Sequence, residues 1–390
     1  MFTVMKSARM IFLFAIWFCY SDLNAQKSKA DLRWYNPTTD DAFLISGQGW
    51  NNDQLANPFD RLPAKAQRTV RPGVWNLSRN SSGVCIEFYT DAAQIEVRYQ
   101  VEGRLYMYHM AATGVSGVDL YAFDDLMNPI WCRSKYAFQD TIRFQYSNLE
   151  GIPTVKNRLR HYRLYLPLYN TVKWLEIGLN QHARVVGVDK PASKPVVVYG
   201  TSKTQGACVS RPGLSWTSVL QRAINRPVIN LGFSDNGRIE PELIDLVAQI
   251  DAELYVVDCM GNMLNEVNFP DTIIEQRIRN AYRKLREAHA ETPILFTQHP
   301  GLADESYNVE EKRRVDRVNN VLERVVHDLE DEGASRVYML TKSALGICQE
   351  CTVDGTHPTD YGMRNYATGY EGIIRTIFEE IGDTYLKPKS

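Results

Sequence analysis

The chain has 390 residues, a formal net charge of −2, 44% hydrophobic and 23% charged residues. That composition is of the soluble globular kind and excludes a low-complexity or disordered chain. The near-neutral charge argues against a dedicated nucleic-acid or anionic-membrane surface.

Residues 1–25 read as a secretory signal. Lys6 and Arg9 supply positive charge, Ile11 to Cys19 is a short apolar run, and Leu23-Asn24-Ala25 resembles a small-residue cleavage site before Gln26. The apolar run is too short to span a bilayer comfortably, so no stable membrane insertion is expected once the signal is removed. The expected location is outside the cytoplasm, periplasmic or secreted. The chain beyond residue 25 is long enough for two domains with separate cores.

Residues 26–41 read as a lead segment and 42–190 as an all-β sandwich. In Ile95-Glu-Val97-Arg-Tyr99-Gln-Val101 every second residue is apolar, the mark of a half-buried strand. Similar runs lie at 84–90, 118–123, 162–167 and 173–179, separated by turn-rich pieces such as Arg79-Asn-Ser-Ser-Gly83. Without a convincing helix between them, they predict an antiparallel sandwich. Residues 191–195, Pro-Ala-Ser-Lys-Pro, read as a linker.

From 196 to 390 the rhythm changes. Continuous apolar runs at 195–199, 227–231, 254–259, 293–297 and 336–340 alternate with helical patterns, such as Val315, Val318, Leu322, Val325 and Leu329 on one face. Five such strands predict a parallel sheet covered on both faces, whose site lies beyond the strands' carboxyl ends. Ser202 follows the first strand, Gly232 the second and Asn262 the third, while Asp354 and His357 precede the last helix.

Asp354-Gly-Thr-His357 can set a carboxylate against one imidazole nitrogen, leaving the other to take a proton. Ser202, in Gly200-Thr-Ser202-Lys-Thr-Gln-Gly206, is the matching nucleophile, since a serine hydroxyl needs a base to lose its proton. The backbone amides of Ser202 and Gly232 and the side-chain amide of Asn262 are the expected oxyanion donors. Arg238, Glu240 and His299 also follow strands and are candidates for the substrate pocket. A turn serine, a loop histidine, a surface ion pair and a structural His299 are the plainer alternatives. His109 has no partner visible in sequence.

Beyond Cys19 there remain Cys85, Cys132, Cys208, Cys259, Cys348 and Cys351. Cys348-x-x-Cys351 has no second ligand pair for zinc, so a structural disulfide or buried thiols are expected ahead of a redox role. Cys85 and Cys132 share one domain, and Cys208 and Cys351 flank the two halves of the proposed site; either pair could bridge.

The four blocks, in this order, resemble the SGNH (GDSL-type) hydrolase family over roughly 194–385. Gly200-Thr-Ser202 matches the serine block, Gly232 the glycine block, Asn262 the asparagine block and Asp354-Gly-Thr-His357 the last. The resemblance implies a flavodoxin-like five-stranded α/β/α domain. The upstream half, with His109-Met-Ala-Ala-Thr-Gly-Val-Ser-Gly-Val-Asp-Leu-Tyr121, looks like the jelly-roll-like sandwich of one bacterial branch associated with carbohydrate-ester deacylation. Thr201 and Lys203 replace the aspartate and leucine of the namesake motif, and Met263 follows Asn262 where the family usually has aspartate.

The reading is an exported serine esterase needing neither metal nor cofactor. It would act on carbohydrate esters, O-acetyl groups first, through an acyl-enzyme on Ser202. A methylesterase of a uronic-acid polysaccharide and an inactive glycan-binding protein are the alternatives, and thiol chemistry at Cys348 and Cys351 is a third.

Overall fold

The structure is a computed structural model that describes residues 31–346 and 348–382. The expected signal, residues 1–25, lies outside them. Among the described residues no helix is long and apolar enough to cross a membrane.

The first half holds β1 (Leu32–Tyr35), β2 (Leu44–Ser46), β3 (Cys85–Thr90), β4 (Gln94–Val101), β5 (Asp119–Phe123), β6 (Pro129–Trp131), β7 (Ser134–Ala137), β8 (Ile142–Ser147), β9 (Arg160–Tyr165), β10 (Val172–Asn180) and β11 (Val185–Val186). They form two antiparallel sheets, ordered β1-β10-β4-β8-β7 and β11-β3-β9-β5-β6, with β2 added to β3. Ile95, Val97 and Tyr99 point between the sheets with Phe88, Phe144, Tyr162 and Ile177, which is why β4 alternates. The expected lead segment is corrected here: Leu32–Tyr35 already pairs with β10, and Tyr35 packs into the core.

The outer face of the second sheet is buried as well, because the other half of the chain packs on it. Tyr165 Oη donates to Gln221 Oε1 at 3.0 Å. The Arg222 guanidinium stands 4.2 Å from the Tyr121 ring centroid. Arg211 pairs with Asp119.

The second half carries β12 (Val196–Gly200), β13 (Val228–Gly232), β14 (Leu254–Asp258), β15 (Ile294–Thr297) and β16 (Val337–Leu340), all parallel in the order β13-β12-β14-β15-β16. Both faces are covered, so every second residue serves a different core. Val196, Val198, Val256 and Leu295 meet the helices Trp216–Ile224 and Asp360–Glu380. Val197, Tyr199, Val257 and Phe296 meet Pro241–Val247, Asp271–Ala288 and Val309–Asp331. The indole of Trp216 stacks on Tyr370 at 4.1 Å. This is the expected fold class: a flavodoxin-like α/β domain behind a β-sandwich.

The cysteines settle differently from the pairings considered. Cys348 and Cys351 form a disulfide with each other, so Cys351 is not available to Cys208. Cys85 sits on the outer face of its sheet with Tyr121 and Tyr165, whereas Cys132 belongs to the core between the sheets. They stay free, as do Cys208 and Cys259.

Candidate active site

Strand β12 ends at Gly200, and the chain turns at once into the short helix Ser202–Gln205. The turn is tight enough that a Cβ at Gly200 would lie 2.1 Å from Thr204 Oγ1. Ser202 is thereby held at the carboxyl end of β12, between β13 and β14.

The base arrives on the loop before the last helix. Ser202 Oγ and His357 Nε2 are 2.9 Å apart, and His357 Nδ1 is 2.7 Å from Asp354 Oδ2. The other carboxylate oxygen accepts the amides of Thr356 and His357, at 3.1 and 2.8 Å. Asp354 therefore organises its own loop as well as the imidazole. The disulfide stands directly upstream, and the Cys351 carbonyl accepts the Thr359 amide at 2.7 Å, tying the loop's two ends together.

Electrostatics suit a general base. Burial pushes the His357 imidazole below its ordinary value, and Lys203 and His109 push the same way, against Asp354. The ring is thus neutral near pH 7 and able to accept a proton. Burial alone would raise Asp354, but the bonds from His357 and the loop amides outweigh it and hold the carboxyl down, charged. Cys208 Sγ lies within 4.8 Å of the Asp354 and His357 ligand atoms. Burial raises its thiol to about 12, so it is no rival nucleophile.

The oxyanion side departs from expectation at Gly232. Its amide donates to Asn230 Oδ1 at 2.9 Å and is not offered to substrate. In the same loop Phe233 donates to Gly200 O and Ser234 to Gln205 Oε1. The Asp235 amide, at φ 56°, makes no hydrogen bond within the described residues and is the loop's free donor. Asn262 keeps a suitable place: Nδ2 donates one hydrogen to Gly237 O at 3.1 Å, leaving the second free.

Two pocket candidates prove structural. Glu240 is buried, accepting from Tyr199 Oη and from the Arg238 amide and pairing with Arg71 of the first half. Arg238 donates to the Asp235 carbonyl at 3.0 Å and lies over the Phe269 ring, so it braces the loop. His299 is buried too, its Nδ1 accepting the Gly301 amide at 2.9 Å, and its other edge turns toward Gly261, where a Cβ would lie 3.8 Å from Nε2.

Three supports escaped the sequence reading. Asn230, fully buried, binds Thr204 O at 2.6 Å as well as Gly232, joining nucleophile turn to oxyanion loop. Arg61, from the first half, donates to the carbonyls of Gly232, Asn230, Leu77 and Asn80. His109, also from the sandwich, lies 6.3 Å ring to ring from His357. Arg61 and His109 have no local signal because the partners they meet at the site are distant in sequence, and Asn230, two residues from Gly232, gives no sign in sequence of which way its amide turns.

The comparisons agree with this geometry. Residues 193–375 match the GDSL-like lipase/acylhydrolase family, and residues 32–185 match the N-terminus of SGNH-hydrolase-type esterases. Among solved structures, a GDSL-like lipase from Bacteroides ovatus aligns over 90% of this chain and 98% of its own, at 28% identity and TM-score 0.80. The salicylyl-acyltransferase SsfX3 of a tetracycline biosynthetic pathway aligns over 93% and 100%, at 18% identity and TM-score 0.70. An acetyl xylan esterase from Butyrivibrio proteoclasticus aligns over 90% and 100%, at 11% identity and TM-score 0.53, a likeness of fold. A search of the curated proteins returns no match. The chain belongs to the SGNH (GDSL-type) hydrolases and is an ester-bond hydrolase of the branch that carries an N-terminal β-sandwich.

Proposed function

We propose that the protein is an exported serine esterase that removes O-acetyl groups from glycans. The observation that carries the chemistry is the unbroken chain of contacts from Ser202 Oγ through His357 to Asp354. Ser202 Oγ attacks the ester carbonyl while its proton passes to His357 Nε2. The tetrahedral oxyanion is held by the amides of Ser202 and Asp235 and by Asn262 Nδ2. The carbon–oxygen bond to the sugar breaks, and the departing oxygen takes the proton from the imidazolium. Water, deprotonated by His357, then attacks the acyl-enzyme and releases acetate and free Ser202.

Export is supported by the charge and apolar pattern of residues 1–25 and by the disulfide, which oxidising compartments favour. The sugar is suggested by fold relatives, one of them a family two carbohydrate esterase from Clostridium thermocellum in complex with cellohexaose. The test is release of acetate or methanol from a panel of acetylated and methyl-esterified polysaccharides, with Ser202→Ala as control. Acetate release lost in the variant supports the reading. Methanol release alone would favour a methylesterase, and full activity in Ser202→Ala would sink the triad.

A further inference from the structure

Lys203 directly follows the nucleophile, yet its side chain turns inward and the residue keeps only 4% of its surface exposed. Its ammonium makes no hydrogen bond and no ion pair within the described residues. Burial pushes its ammonium below the ordinary lysine value, and two carboxylates, Asp258 and Asp354, oppose this through space without being in contact. Both are already engaged. Asp258 Oδ2 accepts from Tyr366 Oη at 3.1 Å and Thr204 Oγ1 at 3.3 Å, and Asp354 serves His357.

A second unpaired donor meets it. A Cβ at Gly261 would lie 3.8 Å from Lys203 Nζ and 3.8 Å from His299 Nε2, so both groups face one spot beside the residue before Asn262. Glycine at 261 leaves the spot free of a side chain, and a Cβ there would make only ordinary contacts, the nearest with His299 Cδ2 at 3.6 Å. His299 Nδ1 accepts a backbone proton, which places the ring's own proton on Nε2, and that edge has no partner. Burial and the neighbouring Lys203 and Lys342 hold His299 neutral, so it adds a donor without adding charge. A buried cation without a contacting anion is costly to hold, and an arriving anion relieves that cost.

We propose that this recess binds a carboxylate carried by the ester substrate, with the Lys203 ammonium as counter-ion and His299 Nε2–H as hydrogen-bond donor. The proposal rests on the esterase reading and sharpens it: the preferred substrate is an acidic ester. The carboxylate belongs either to a uronic-acid ring of the glycan or to the far end of a dicarboxylic acyl group. Lys203 at this position, where the namesake motif has leucine, then sets specificity rather than catalysis.

Two arms separate the sources. In one, kcat/KM is measured on acetylated polygalacturonate and on the same polymer after reduction of its carboxyl groups. In the other, 4-nitrophenyl hemisuccinate is compared with 4-nitrophenyl butyrate. The wild type is expected to prefer the anionic member of one arm by about tenfold or more, as a charged hydrogen bond at a buried site gives. Lys203→Met, matched in length and apolar, is expected to collapse that ratio toward one through KM. Preference in the first arm assigns the carboxylate to the sugar, and in the second to the acyl group. Equal rates within both arms, or a preference untouched by Lys203→Met, would overturn the proposal. Thermal shift with galacturonate or succinate against neutral galactose, in both proteins, needs no turnover. A Lys203-dependent shift with no ester cleaved would uphold the recess while sinking the esterase reading.

Discussion

The substitution Asp354→Asn exchanges a single oxygen for an amide nitrogen and tests the orienting role directly. The new side chain can still accept the Thr356 and His357 amides through its oxygen, so the loop keeps both backbone bonds. Its NH₂ group would face His357 Nδ1, now forced to accept, and the ring proton would move to Nε2. That tautomer cannot take the Ser202 proton. The imidazolium formed in the transition state also loses a carboxylate at contact distance. In a partly exposed setting that is roughly 4 kcal/mol at an effective dielectric constant near 20. Such a loss is about three decades in rate, and the tautomer error brings it toward ~10⁴. The assay is steady-state hydrolysis of 4-nitrophenyl acetate, alongside a melting curve expected to be unmoved. A kcat within about tenfold of wild type would refute the orienting role of Asp354.

Three further outcomes follow from the site. Catalysis needs neutral His357, and burial lowers its pKa, so the acid limb of kcat/KM should fall below pH 6.5, and Lys203→Met should move it upward; a limb above 6.5 in the wild type contradicts the assignment. Asn262→Ala should lower kcat by ~10²–10³ with the fold intact, as loss of one oxyanion donor does; an unchanged kcat removes Asn262 from the hole. Arg61→Lys should reduce both the melting temperature and kcat, because one ammonium cannot serve four carbonyls and each carbonyl left unpaired costs about 1–3 kcal/mol; a wild-type melting curve and kcat would show that Arg61 does not hold the oxyanion loop.

What could be read in the sequence follows the range of the forces involved. The parallel strands were legible because both their faces are buried, which writes a continuous apolar run, as in Val196–Tyr199. Asp354 and His357 were legible because their contact is local, three residues apart. Gly232 misled for the same reason that Asn230 was missed: the fate of one amide depends on a side chain whose orientation the fold decides. Glu240 looked available until Arg71, 169 residues away in sequence, was brought to it. The edge strand β7 was overlooked because its residues, Ser134–Ala137, are mostly exposed and carry little pattern. The family resemblance supplied the order of the blocks, while the sandwich's contributions to the site, Arg61 and His109, emerged only from the packing of the two halves.

The central claim is that Ser202 carries the acyl group, and mass spectrometry of the protein quenched during turnover of an acetyl ester tests it most directly. The account predicts a single acetyl group on the peptide containing Ser202, absent in Ser202→Ala and accumulating when deacylation is slowed. Turnover with no acylated Ser202 peptide under any quench, or acetylation at another residue that keeps pace with turnover, would contradict it.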